Sequence, residues 1–388
     1  MSAHEINAED PVNLARALIR CASVTPADEG ALDIVEEFLS TLGFTTTRLK
    51  FEEVDNLYAE IGSGGPHFCY AGHTDVVPTG DADEWSEPPF AAHVKDGKLW
   101  GRGASDMKGG IAAFLVAASR ALKAGTVKGT LSLIITGDEE AVGVNGTVKV
   151  LKWMAAKGIK IDHCLVGEPS NPDAMGDMIK VGRRGSINCW LTVTGKQGHV
   201  AYPHRAKNPI PALMRKLLYL SETPLDDGYD RFQPSSLQVT DIHVGNAASN
   251  VIPGKASARF NIRFNPNWTG AKIEAWLRDK LDAIAKESGA TYKLDAVISG
   301  EAFLTTDEKF LSLLSGCVEK HTGKKPEYST SGGTSDARFI KDYAPVAEFG
   351  LVAATIHQID EHADIADIEM LATIYEDVIA RYYAAFKR

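Results

Sequence analysis

The chain lacks any pairing pattern among its cysteines. The five of them, Cys21, Cys69, Cys164, Cys189 and Cys317, are odd in number, far apart and without a C-x-x-C pair. They read as buried thiols in a reducing compartment, not as a disulfide framework. Basic residues are also in short supply, with 41 Lys and Arg against 51 Asp and Glu, and those present are scattered. That weighs against nucleic acid or a membrane surface as a partner. An anionic small molecule stays open, because it responds to a local pocket and not to net charge. No apolar run can span a bilayer: "IAAFLVAASRAL" is too short and contains Arg120. The start, "MSAHEINAEDPVN", has no basic stretch followed by an apolar one, so the expectation is no signal peptide and a cytoplasmic location. A G-x-S-x-G elbow is missing, which argues against serine hydrolysis. Two motifs fail on inspection. "GRGASD" lacks the third glycine of a dinucleotide fingerprint, and the S-x-x-K in "SDMK" is followed by neither S-D-N nor K-T-G.

What is present is a chain of 388 residues, 44% apolar, long enough for two domains or one large one. In the N-terminal half, strand-like "HFCYAGHTDVV", "GTLSLIIT" and "IDHCLVGEPS" alternate with helix-like "IAAFLVAASRALKAG" and "GTVKVLKWMAAKG". This predicts an α/β layer around a largely buried sheet. Near residue 185 the pattern changes to the order β-α-β-β-α-β, in which "AKIEAWLRDKLDAIAKES" carries Ile273, Trp276, Leu277, Leu281 and Ile284 on one stripe. That order is the split βαβ of ferredoxin-like folds. The expected organisation is two domains, with residues 185–298 inserted into a catalytic domain of residues 1–184 and 299–388. No repeat or low-complexity stretch is visible.

Several apolar strands end in acids or histidine. "TGDEEAVG" at 136–143 puts Asp138, Glu139 and Glu140 side by side, although neighbouring like charges repel. In "YAGHTDVVP", His73 and Asp75 lie two apart, so a carboxylate could take the N–H of a ligating imidazole. "GRGASDMKGG" places Asp106 ahead of a helix, "LVGEPS" offers Glu168, and "ATIHQIDEH" offers His357 with Glu361 and His362 behind it. Each has a plainer reading alone: a turn, an N-cap, a structural histidine. Their recurrence at strand ends, where sites form in α/β sheets, points to a metal centre of nitrogen and oxygen ligands.

"GHTDVVP", "WGRGASDMKGG", "TGDEEA", "GEPS" and "HQIDE" occur in the order found in the two-zinc aminoacylase and carboxypeptidase family, which the sequence resembles from about residue 10 to its end. "GRRGSI", "GKQGHVAYPH", "NVIPG" and "SGGTSDARFI" are similar to a branch of that family that cleaves succinyl amides. Sister deacetylases and aminoacylases share the metal motifs. The resemblance implies an α/β/α zinc-hydrolase domain with an inserted ferredoxin-like lid and dimerisation domain. It implies two Zn2+ per subunit, with Co2+ or Mn2+ as substitutes. His73 and Glu168 would bind one ion, Glu140 and His357 the other, and Asp106 would bridge them. Two histidines and three carboxylates then set a ligand charge of about −3 against about +4 from the metals. Glu139 would be the general base, Asp75 a catalytic partner of His73, and His199 an oxyanion donor reaching a neighbouring active site, which implies a homodimer. For the small anionic substrate, Arg183 and Arg263 suit carboxylate recognition, and Ser186, Tyr202, Asn250 and Thr334 can donate hydrogen bonds. Arg184 reads as a solvated basic turn.

Overall fold

A computed structural model of the chain describes residues 9–288 and 290–387. They form two compact units. The first runs to Val181 and resumes at Thr305–Ser329 and from Ser335, while the second comprises Gly182–Leu304 and Thr330–Thr334. No described helix is long and apolar enough to cross a membrane.

In the first unit the chain lays down β1 (Thr45–Phe51), β2 (Val54–Gly62), β3 (His67–His73), α1 (Gly109–Lys123), β4 (Thr130–Thr136), β5 (His163–Val166) and β6 (Met178–Lys180). The second unit follows with β7 (Gly185–Thr194), α2 (Pro209–Glu222), β8 (Ser236–His243), β9 (Lys255–Phe264), α3 (Gly270–Ser288) and β10 (Thr291–Gly300). The first unit is then completed by β11 (Glu327–Ser329), β12 (Val346–Glu348) and α4 (Ile365–Ala385). The α/β class expected from the alternation is what the fold has.

The large sheet has eight strands in the order β1-β2-β4-β3-β5-β12-β6-β11. Its centre is parallel, β4 with β3, β3 with β5 and β5 with β12. Every residue of β3 and β4 is buried, as expected for strands covered on both faces. Residues 109–119 of α1 are buried all round, because the helix packs against α4 as well as the sheet. Its two leading glycines allow this approach: a Cβ on Gly110 would stand 2.9 Å from the carbonyl oxygen of Gly167. The same packing sets the loop that presents Glu168.

In the second unit β7 pairs antiparallel with β9 and β10, and β9 with β8, giving the order β8-β9-β7-β10. Alternation along β7 sends Ile187, Cys189, Leu191 and Val193 into a core shared with Leu213, Leu217 and Leu220 of α2 and Ile273, Leu277 and Leu281 of α3. Trp190, between them, is exposed on the other face.

Phe114 of α1 stacks on Tyr70 of β3 with ring centroids 3.9 Å apart, and both are fully buried. Phe114→Ala should destabilise the first unit by about 3–5 kcal/mol, through lost burial and the cavity left behind. Urea unfolding followed by far-UV circular dichroism should show the lower midpoint.

Candidate metal centre

The parallel strands end on one side, and their ends carry the acids and histidines. His73 is the last residue of β3, Asp138–Glu140 follow β4, Glu168 follows β5, and His357 lies beyond β12. Asp106 comes from the buried turn before α1. The structure brings them into two groups that could each hold a metal ion: His73, Asp106 and Glu168, and Asp106, Glu140 and His357. Asp106 belongs to both. Its Oδ1 is 3.2 Å from His73 Nε2, and its Oδ2 is 3.3 Å from His357 Nε2. Glu168 Oε1 lies 3.7 Å from His73 Nε2, and His357 Nε2 bonds Glu140 Oε1 at 2.9 Å.

The tautomer of His73 is set by its far side. Nδ1 lies 2.9 Å from the main-chain oxygen of Asp75, which can only accept, so Nδ1 carries the hydrogen and Nε2 faces the group. Among the described residues, buried His73 Nε2 and Asp106 Oδ1 have no hydrogen-bond partner; their short separation lacks the alignment of a bond. Converging, buried, unpartnered lone pairs on nitrogen and oxygen suit a divalent cation.

The Asp75 carboxylate does something different from the expected bond to His73. It lies 3.6 Å from Nδ1 and instead accepts the main-chain N–H groups of Glu139 at 3.3 Å and Glu140 at 3.1 Å. Asp138, which had no expected role, is buried and accepts the Asn145 N–H at 2.7 Å, closing the loop from the other end. Three adjacent acids can stand together because two carboxylates hold their loop by its backbone.

Electrostatics point the same way. Burial disfavours a charged His73, but Asp106, Glu168 and Asp75 outweigh it and raise its pKa well above the ordinary value. Hydrogen bonds to Asp106 and Glu140 lift His357 to about 10. Burial pushes Glu168 well up, with Asp106 and Glu139 adding to it. Glu139 rises to about 8, chiefly by burial and then through Asp336, Glu140 and Asp106, with His73 opposing. This cluster favours positive charge, and a cation supplies it while leaving the imidazole lone pairs as donors.

Against known proteins, the chain is 56% identical over 383 residues to a succinyl-diaminopimelate desuccinylase from Rhodospirillum centenum, covering 97% of this chain and 98% of the relative. It is 54% identical over 380 residues to one from Parvibaculum lavamentivorans, covering 97% and 96%. Residues 69–381 match Peptidase family M20/M25/M40. The chain belongs to that family. A solved structure of a tripeptidase from Staphylococcus aureus superposes with a TM-score of 0.79 at 19% identity, covering 98% of this chain and 99% of that one. At that identity the likeness speaks for the M20/M25/M40 fold alone.

The remaining sequence candidates of this M20/M25/M40 chain lie in the second unit, in two places. His199 and Asn250 meet at a short antiparallel pairing of distant segments: His199 pairs with Val251, and Val200 donates to the Asn250 carbonyl at 3.0 Å. Tyr202, three residues after His199, is 52% exposed. Elsewhere, buried Arg183 donates from Nη1 to the Gly333 carbonyl at 3.1 Å, one residue before Thr334. Ser186, also buried, sits opposite Arg263 across β7 and β9. Burial, with Arg184 nearby, lowers the pKa of Arg263. Arg184 is half-buried and so is not the solvated turn its position suggested.

Sequence reading missed Arg102, Asp336 and the use made of Glu361. All three are buried acids or bases within or beside quoted motifs, and only burial distinguishes them from surface charges. His357→Ala should remove one of two metal equivalents and leave the other. Asp106→Ala should remove both, because the two groups share that carboxylate; metal analysis after dialysis distinguishes the two cases.

Proposed function

We propose that this chain hydrolyses N-succinyl-LL-2,6-diaminopimelate to succinate and LL-2,6-diaminopimelate, in diaminopimelate and lysine synthesis, as a two-zinc amidohydrolase. The observation that carries the chemistry is the pair of imidazole–carboxylate groups joined through Asp106, with Glu139 beside them. The substrate is taken from the names of the relatives at 54–56% identity. His73 and Glu168 would hold one zinc, Glu140 and His357 the other, and Asp106 both.

Two bound cations would polarise the amide carbonyl and lower the pKa of a water molecule between them. Glu139 takes the proton from the attacking water and returns it to the leaving nitrogen, so the amide yields a carboxylate and an ammonium with no covalent enzyme intermediate. Burial, together with the charges of Asp336, Glu140 and Asp106 around it, raises the pKa of Glu139 in the metal-free cluster, so it is disposed to take up a proton. Asp75 fixes both His73 and the Glu139–Glu140 backbone, so it orients ligand and base together.

The substrate brings three carboxylates and one ammonium. Arg183 and Arg263 would pair with carboxylates, assisted by Ser186, Tyr202 and Thr334. We read residues 1–184 and 299–388 as the catalytic domain and 185–298 as a lid and dimerisation domain of a cytoplasmic homodimer. In that assembly His199 would serve the neighbouring subunit's active site by stabilising the oxyanion, and Asn250 would hydrogen-bond the substrate. Met214, Leu218 and Tyr219 of α2 and Ile242 of β8, all exposed, support an apolar contact there.

The test is amide hydrolysis by metal-free protein with zinc titrated back, on N-succinyl-LL-diaminopimelate and N-acetylornithine in parallel. Zinc-dependent succinate release, with the acetyl compound untouched, is the expected result. Activity on the acetyl compound alone would move the chain to a sister amidase. Glu139→Gln should lower turnover by about 10²–10⁴-fold with metal content nearly unchanged; loss of both metals would make Glu139 a ligand.

A further inference from the structure

Behind the two candidate groups lies a buried ion pair that belongs to neither. Glu361 is fully buried and Arg102 is 2% exposed, and Arg102 Nη1 meets Glu361 Oε2 at 2.7 Å. The other oxygen of Glu361 accepts three main-chain N–H groups, from Gly103 at 3.1 Å, Ser105 at 3.0 Å and Asp106 at 3.1 Å. One carboxylate oxygen therefore gathers the turn that carries Asp106.

Arg102 works in the opposite direction. Nη1 also donates to the carbonyl of Gln358 at 3.1 Å, and Nη2 to that of Pro78 at 3.3 Å. Gln358 follows His357, whose φ of 60° lies in the left-handed region that a β-carbon disfavours. The guanidinium sits 5.2 Å from the centroid of the Trp85 ring, so its face is covered as well as its edges. Thus the pair ties the Asp106 turn to the His357 loop through hydrogen bonds on both.

We infer that Glu361 and Arg102 are positioning residues for the metal centre: Glu361 sets the carboxylate shared by the two groups, and Arg102 sets His357 against Glu140. The inference rests on the metal-holding reading above. The bonds of the pair fall on the N–H of Asp106 itself and on the residue beside His357, so it acts where the two groups are presented. Outer partners of this kind fix the angle at which a ligand presents its lone pair.

Glu361→Gln keeps the shape but leaves the Arg102 charge unpaired in the interior. Because Asp106 is shared, it should weaken both metal equivalents by about 10–100-fold. Arg102→Lys keeps the charge but shortens the reach and removes the fork, so the bonds that Nη1 makes to Glu361 and Gln358 and that Nη2 makes to Pro78 cannot all be kept. It should weaken only the equivalent held by Glu140 and His357 by about 10-fold or more. Both variants should lower kcat more than they change KM for the succinyl substrate.

The experiment is competition for Zn2+ between each full-length variant and a chromophoric chelator, with Co2+ absorption reporting ligand geometry and thermal melting recorded alongside. Selective weakening in Arg102→Lys, with joint weakening in Glu361→Gln, supports the assignment. If both variants bind two equivalents within about two-fold of the wild-type affinity while melting earlier, the pair is structural only and the assignment is wrong. Should Glu361→Gln not fold, Arg102→Lys alone decides by the same criterion. The wild-type titration tests whether metals bind, and the difference between variant and wild type tests this inference, so the two fail separately.

Discussion

Asp106 lends one carboxylate oxygen to each of two imidazoles, and the C-terminal end of the sheet is arranged around keeping it there. Asp75, Asp106, Asp138, Glu139, Glu140 and Glu168 crowd that end. Two unit charges 4 Å apart repel by about 4 kcal/mol at the effective dielectric of a protein surface, so the cluster is unfavourable without compensation. The histidines supply part of that compensation, and a cation on each side of Asp106 would supply the rest. The placement of the other groups follows from this demand for positive charge at two points a carboxylate's width apart.

The supporting acids are neutralised in a different manner. Asp75, Asp138 and Glu361 all accept main-chain N–H groups, from Glu139 and Glu140, from Asn145, and from Gly103, Ser105 and Asp106. Peptide dipoles stabilise these carboxylates without placing a competing cationic side chain beside the ligands. Glu361 alone also has a cationic partner, Arg102, on its other oxygen. The candidate metal groups are thus left without competing cationic side chains from these supporting acids.

Much of this was legible in the chain because strand ends are legible. The buried strands "HFCYAGH" and "TLSLIIT" could be read from composition, and the acids after them fell where α/β sheets place sites. The second unit's βαββαβ order followed from the alternation in "GSINCWLTVTG" and the stripe on α3. Three things could not be read. The Asp75 carboxylate reaches a loop more than sixty residues away in sequence, to Glu140 N–H, and spacing within "GHTD" says nothing of that. Arg102 and Glu361 come together across 259 residues, and either alone resembles a surface charge. The partial burial of Arg184 depends on what lies over it, which local sequence does not encode. In each case the missing information was a tertiary contact between distant segments, beyond the reach of local pattern.

The first unit is written in pieces, and the pieces are not equal. His73, Asp106, Glu140 and Glu168 all lie before Val181, whereas His357 and Glu361 arrive only after the whole second unit has been made. On the ribosome the early segment therefore emerges without the second imidazole and without Glu361, which holds the Asp106 turn. The sheet is short of β12 as well, the strand that continues it beyond β5. Closure of such long-range contacts is slow relative to local helix formation. An ion held by His357 would therefore be loaded only after that residue has been made, as a maturation event of the finished polypeptide instead of a nucleus for its folding.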